Sequence, residues 1–405
     1  MRILFLSRWF PNPPDNGSKT RIFNLIKYLS QRHEVDLLSF ASEALTDEHM
    51  AAMRHCCRRV QVIPYRPFQP YRLKAVLSFL SPRPRSVVDT HSLEMQRLVE
   101  ESNRTRPFDV VIASQIEMAP YVTRLCSQPK VLEEVELTAI YEQHIRQRNP
   151  LRRVRSQMTW WKLSHYLSKI APAFDGCTVV SEHEQDLILR ILPTFQPICI
   201  VPNGVDLARH TVDFGHPQID TLIYSGALTY QANFDAVDFF LRDIFPLIRA
   251  QRPGVKFFIT GKIDGVPVKR LPRLPGVSFT GYLQDVRPIL ANSWASVVPL
   301  RVGGGTRLKI LESLAMGTPV IATSKGAEGL GLVHGQDILV ADTPSEFAQA
   351  TVRLLRDADL RVMLSRNGRF AVETRYDWTR IGQQFVRFIE EVVAQRQRRQ
   401  SNEAI

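Results

Sequence analysis

The sequence predicts an α/β protein of two doubly wound, parallel-sheet domains, and three observations carry that expectation. At the N-terminus an apolar run at 3–6 precedes the turn-rich PNPPDNGSKTR. A helix-periodic stretch with Ile22, Leu25, Ile26 and Leu29 follows, and then a second apolar run at 33–40. Strand, loop, helix, strand is how a doubly wound sheet opens. The same order returns at 296–322. There an apolar run leads into Gly303, Gly304 and Gly305, a helix-like segment extends from near Thr306 to Gly317, and another apolar run begins at Pro319. Gly317 suits the left-handed residue after a helix, and Pro319 keeps the helix from resuming. The third observation is length: 405 residues exceed what one hydrophobic core usually serves.

The elements between these units follow from pattern. From 43 to 106, Arg66, Arg72, Lys74, Arg83 and Arg85 are interleaved with Tyr65, Phe68, Tyr71 and Phe79. That mixture fits the lining of an acceptor site, a face against anionic lipid headgroups, or a solvated insertion. Strands are expected at 108–113 and 130–133, and the acids Glu133, Glu134 and Glu136 then either meet a ligand or cap the next helix. A long helix at 150–169 carries Arg152, Arg153, Arg155, Lys162, Trp160 and Trp161. Packing against the core is favoured for its tryptophans over membrane contact. A strand at 174–180 leads to Ser181 and Glu184, an S-x-x-E capping box. The run at 198–201 enters PNGVD, which places the domain boundary near 204.

The second sheet is expected to start at 221–225, with Asn233 capping a helix through 250 and strands at 255–260 and 277–280. Asp357 and Asp359 lie between two helical stretches and read as caps, not metal ligands.

Composition bounds the function. A formal net charge of +12 and a pI near 9.7 suit an anionic partner: nucleotide phosphates, a lipid pyrophosphate, an acidic membrane surface or nucleic acid. No RNA-recognition motif or zinc finger supports the last of these. The five cysteines, Cys56, Cys57, Cys126, Cys177 and Cys199, are odd in number and form no C-x-x-C, as in a reduced, cytosolic compartment. MRILFLSRWFPNPP is too short in apolar residues for a signal peptide, and no run approaches the roughly 18 residues of a spanning helix. The expectation is a cytoplasmic protein, soluble or resting on the inner face of a membrane without crossing it.

The stretch VPLRVGGGTRLKILESLAMGTPVIATSKGAEGL carries the chemistry. A helix that starts after a glycine loop offers unpartnered N–H groups and a partial positive charge, so it attracts anions. Ile310, Leu311, Leu314 and Ala315 form its buried face; Lys309, Glu312, Ser313 and Met316 share another. Arg307 and Lys309 suit a diphosphate, and Glu312 suits paired hydroxyls such as those of a ribose. An ordinary surface Lys/Glu pair has the same spacing. Three consecutive glycines in front of it favour the ligand.

GGGTRLKILESLAMGTPVIAT, with GAEGL after it, resembles the nucleotide-sugar motif of retaining glycosyltransferases of family 4, in a bacterial surface-polysaccharide type of branch. Those proteins have the GT-B fold, two doubly wound Rossmann-like domains facing a central cleft. The resemblance implies an acceptor-side domain at 1–203 and a nucleotide-sugar-binding domain at 204–377, with the last helix, 378–395, packing back on the first. It implies that Glu312 binds the donor ribose and that Gly303, Gly304, Gly305, Thr306 and Leu308 form the donor loop. Gly304 stands where the family usually has a second glutamate that contacts the sugar. Gly17 matches half of an N-terminal glycine pair, Asn16 replacing the other half. Asn203 borders the donor in the interdomain turn, and Tyr282 and Leu283 match the segment that meets the base. Glu328 approaches the donor from GAEGL. After Gly226 the family's arginine and lysine are replaced by Ala227 and Ala232, which leaves the phosphates to Arg307, Lys309 and backbone amides. Val135 and Glu136 replace an acceptor-side histidine pair, and Glu136 is the residue expected at an acceptor hydroxyl.

The implied function is sugar transfer from a nucleoside-diphosphate sugar, a substrate and not a cofactor, to a glycan or lipid-linked acceptor. No metal is expected, and the partners are donor, acceptor and an anionic membrane surface, not nucleic acid. A nucleotide-sugar epimerase on the same plan and a noncatalytic sugar-nucleotide-binding protein are the alternatives.

Overall fold

The computed structural model describes residues 1–42, 44–125, 127–147, 149–210, 214–303 and 305–403, the side chains of Arg146 and Glu403 excepted. The chain divides into two compact units, Met1–Asn203 with Thr379–Ile405, and Gly204–Trp378.

The first unit is built on seven strands: β1 (Arg2–Ser7), β2 (Glu34–Ala41), β3 (Arg59–Pro64), β4 (Val110–Ser114), β5 (Lys130–Glu133), β6 (Gly176–Val179) and β7 (Ile198–Ile200). Their order is β3-β2-β1-β4-β5-β6-β7, every pair parallel. Helices on both faces explain why β1 and β4 read as continuous apolar runs without alternation: both faces are buried. The helix Gly17–Leu29 is capped by Asn16, whose Oδ1 accepts from Lys19 N. The C-terminal helix, Trp378–Glu403, lies against this unit from Thr379 onward. A Cβ at Gly382 would come 2.2 Å from the Tyr28 ring, so the close approach needs glycine there.

At the centre of this unit sits a charged cluster. The fully buried Arg21 donates to Glu133 Oε1 at 2.6 Å, to the Val201 carbonyl at 2.6 Å and to Asn203 Oδ1 at 3.1 Å. Ser114 donates to the other oxygen of Glu133 at 2.6 Å. One guanidinium thus ties the first helix to β5 and to the residues that leave the sheet.

The second unit carries β8 (Gln218–Ser225), β9 (Lys256–Thr260), β10 (Val277–Gly281), β11 (Ser293–Val298), β12 (Val320–Ala322) and β13 (Leu339–Val340). They are ordered β10-β9-β8-β11-β12-β13, again all parallel. Its core holds Phe240, Phe245, Phe257 and Phe347, with Phe240 and Phe257 rings 4.6 Å apart.

Some local expectations need correction. Asn233 caps nothing: the helix starts at Gln231, and the Asn233 amide turns inward to the Ala227 carbonyl. That helix also widens to a π-turn at Phe240–Ile244 before Phe245–Gln251 completes it. Only half of the Ser181 box forms. Ser181 accepts from Glu184 N, but the Glu184 carboxylate accepts from Leu137 N and Thr138 N, capping the helix Thr138–Arg146. Glu133, Glu134 and Glu136 are therefore not that helix's caps. Trp160 packs beside Tyr141, whereas Trp161 is exposed. Asp357 does cap the helix Ala358–Arg375, accepting from Leu360 N.

Removing one partner of a buried ion pair leaves a desolvated charge, at a cost of about 3–5 kcal/mol, whereas replacing both with apolar groups is far milder. Glu133→Ala should therefore lower the urea stability of the first unit by about that amount, and Arg21→Met combined with Glu133→Leu by much less. Equal losses would show that the pair itself does not govern the cost.

Candidate functional site

In an open parallel sheet, ligands bind outside the carboxyl ends of the strands where the strand order reverses. In the second unit that point lies between β8 and β11. The two loops leaving it are 226–230 and 299–307, and the second is the glycine loop. Gly303 and Gly305 have φ of +110° and +77°, conformations that residues with a Cβ rarely adopt. The buried Arg307 braces this loop, its Nη2 donating to the Gly303 carbonyl at 2.7 Å and to the Lys325 carbonyl at 3.4 Å. The helix behind it spans Leu308–Ala315, two residues later than the sequence pattern predicts. Leu308 N first closes a tight turn onto the Thr306 carbonyl at 3.0 Å.

Lys309, on the first turn, reaches back to β8. Its Nζ donates to Tyr224 Oη and to Asn233 Oδ1, both at 2.8 Å, and Tyr224 Oη donates to the same Asn233 oxygen. The surface Lys/Glu pair does not form, since the ammonium takes Tyr224 and Asn233 in place of Glu312. Desolvation, then the nearby Arg307, push the Lys309 ammonium down to about 7 against the pull of Glu312. Desolvation likewise pushes the Glu312 carboxyl up to about 7, opposed by Lys309. Each group is poised to take up charge when a charged or hydrogen-bonding ligand arrives. Gly226 makes this possible: a Cβ there would sit 2.7 Å from Lys309 Nζ, and its φ is +154°. Gly261, behind it, would bring a Cβ within 2.4 Å of the Gly226 carbonyl.

The first unit has its own reversal, between β1 and β4. A cavity of about 370 Å³ opens there, and its lining includes Arg8 after β1, Gln115 and Glu117 after β4, and Glu134 and Glu136 after β5. Gln115 and Glu134 both hold positive φ, 74° and 55°, and Gln115 Nε2 donates to Glu134 Oε2 at 3.2 Å. Strained non-glycine residues of this kind persist where surroundings over-determine them, often at functional sites. Burial and the Glu133 carboxylate hold the Glu134 carboxyl well above the usual range, against the pull of Arg21.

The residues expected from sequence separate into two sets by unit. Gly226, Gly303, Gly305, Thr306, Arg307, Leu308, Lys309 and Glu312 lie on the loop, the helix and the facing edge at the β8/β11 reversal; Gly304 falls outside the described residues. Tyr282 and Leu283 follow β10 on the same sheet edge, where Gly261 N donates to the Gly281 carbonyl at 2.9 Å. Glu328 is exposed and its carboxylate is taken by Lys325. Glu136, exposed, lies at the first unit's cavity. Gly17 begins a helix, and the Asn203 side chain is engaged by Arg21. Tyr224, Gln115 and Glu134's strained turn were not legible as site residues. The only sequence signal for Tyr224 is a polar end on a strand buried along both faces.

Gly226→Ala should be strongly damaging, because it forces a positive φ on alanine and drives the Lys309 ammonium off its two partners. A lowered melting temperature is the expected outcome; Gly215→Ala, with nothing within 4 Å, is the control for positive φ alone. Equal effects from both would remove the ammonium from this explanation.

Two family models match the chain: Glycosyltransferase Family 4 over residues 15–209 and Glycosyl transferases group 1 over 219–357. An uncharacterized 44.6 kDa protein in the cps region of Klebsiella pneumoniae is 18% identical over 397 residues, 93% of this chain and 96% of its own. Among solved structures, sucrose-phosphate synthase from Thermosynechococcus elongatus aligns with a TM-score of 0.67 at 16% identity, over 97% of this chain and 100% of its own. An Anabaena protein, HepE, solved with UDP and glucose, aligns with a TM-score of 0.65 at 15% identity, over 96% and 100%. The chain thus carries the two domains of a group 1 / family 4 glycosyltransferase on the GT-B fold.

Proposed function

We propose that this glycosyltransferase moves a sugar from a nucleoside-diphosphate sugar to a hydroxyl of a glycan or lipid-linked acceptor, with retention of configuration and without a metal ion, in cell-surface polysaccharide or glycolipid synthesis. The observation that carries the reading is the convergence of Gly226, the glycine loop, Lys309 and Glu312 at the β8/β11 reversal. A diphosphate on that ledge meets backbone N–H groups and the Lys309 ammonium, which stabilise the charge left as the sugar departs. Arg307 holds the loop in shape, and Glu312 accepts from the ribose hydroxyls. The nucleotide is first tested as uridine diphosphate, the one present in the HepE structure.

In the transfer itself the acceptor oxygen bonds to the anomeric carbon while the bond from that carbon to the phosphate oxygen breaks. The acceptor proton passes to a donor phosphate oxygen on the same face. The chain then needs no nucleophile of its own. Glu136, with Glu134 behind it, orients the acceptor hydroxyl at the first unit's cavity.

Arg307→Ala and Lys309→Ala should each cut the rate of UDP release from the active UDP-sugar by about 10²–10³-fold, the usual cost of losing one preorganised charge stabiliser. Wild-type rates in both would remove the leaving-group assignment, and tight UDP binding without any transfer would favour a noncatalytic binding protein.

The pH dependence of donor affinity follows from the two groups near 7. An anionic diphosphate prefers the protonated Lys309, so affinity falls as pH rises above about 7. Ribose hydroxyls prefer the ionised Glu312, so affinity also falls as pH drops below about 7. The expected profile, by calorimetry with UDP, is a bell centred near neutrality. Lys309→Arg should flatten its alkaline limb, and an unchanged limb would contradict the assignment.

A further inference from the structure

Two segments of the first unit present their apolar stripes outward. In the short helix Leu73–Leu77 and the turn that continues it, Leu73, Val76, Leu77 and Leu80 recur at helical spacing, yet all are exposed, Leu80 at 92%. Ala75 and Ser78 take the buried side instead. In the helix Pro150–Ile170, Leu151, Val154, Met158 and Trp161 form a second exposed stripe, Leu151 at 84%, while Leu163, Tyr166, Leu167 and Ile170 supply the core. An amphipathic helix in a globular unit normally turns such a stripe inward. The two stripes belong to one face. Lys162 Nζ donates to the Ser78 carbonyl at 2.9 Å and to the Phe79 carbonyl at 2.8 Å, clamping one segment onto the other.

The charge around these stripes has one sign. No carboxylate side chain occurs between Glu48 and Asp89, or between Glu142 and Asp175. Within those spans stand Arg72, Lys74, Arg83, Arg152, Arg153 and Arg155. Apolar side chains to enter the acyl boundary, tyrosine and tryptophan at its level, and cations without acids are what an interfacial surface requires. A protein partner of ordinary composition would not call for the exclusion of every acid.

We infer that this face rests on an anionic lipid bilayer, through Leu73, Leu77, Leu80, Leu151, Val154 and Trp161, with the flanking arginines on headgroup phosphates. Phe79, Arg85, Arg155 and Met158 of these segments also line the 370 Å³ cavity, so a docked bilayer brings its headgroups to that cavity's rim. The docking needs no nucleotide sugar and stands independently of the catalytic reading.

Sedimentation of the full chain with vesicles tests it. Vesicles of phosphatidylcholine with phosphatidylglycerol should carry the protein down at low salt, and phosphatidylcholine alone much less. Leu80→Glu with Leu151→Glu, and separately Arg152→Glu with Arg153→Glu, should each lower partitioning at least about tenfold, since each headgroup-facing cation contributes a factor of about five. Both double variants change exposed side chains, and an unaltered melting temperature shows that each is folded. Failure of the wild type to sediment with anionic vesicles overturns the proposal. So does equal sedimentation with neutral ones, or binding that neither folded variant weakens. Self-association on sizing that the leucine variant abolishes, without vesicle binding, would instead make the face a contact between copies of the chain and likewise overturn it.

Discussion

A single absent side chain decides the geometry of the second unit's ledge. Because Gly226 has no Cβ, the Lys309 ammonium can pass over the end of β8 and settle on Tyr224 and Asn233. Holding a cation there desolvates it, and desolvation brings its pKa to near neutrality. The cation is then cheap to place when an anion comes and costly to keep when none is present. Arg307 performs a different task from its neighbour: it is spent on carbonyls and keeps the glycine loop open.

The first unit solves a related problem with a complete ion pair. Arg21 is buried between Glu133, the Val201 carbonyl and Asn203, and so fixes β5 relative to the exit of β7. Glu133 is thereby neutralised and Glu134 is not, which leaves Glu134 raised at the cavity wall on a strained backbone. The acids clustered after β5 thus divide their labour: one is structural, one is held protonation-prone, and Glu136 is exposed at the cavity.

Much of this was legible in the sequence. Buried parallel strands read as unbroken apolar runs because both faces are covered, and the helices between them keep a 3.6 period, so the doubly wound plan emerged at both ends. The glycine loop was legible because consecutive glycines have few other uses ahead of a helix. What stayed hidden depends on contacts far apart in the chain. Nothing local to Asn233 shows that its amide turns inward to Ala227 and Lys309, and helix-start preference misassigned it as a cap. Glu184 was misread for the same reason, since its partners lie in another helix. The outward stripes at 73–80 and 151–161 show helical spacing in sequence, but spacing alone does not say which way an apolar face points.

The central claim is that the Lys309 ammonium receives a diphosphate. Its side-chain nitrogen can be followed by NMR in protein labelled with ¹⁵N-lysine, with Lys309→Arg identifying the signal, across a pH titration with and without UDP. The account predicts a midpoint near 7 in the free protein that moves clearly upward when UDP is bound. A midpoint unmoved by saturating UDP would contradict it.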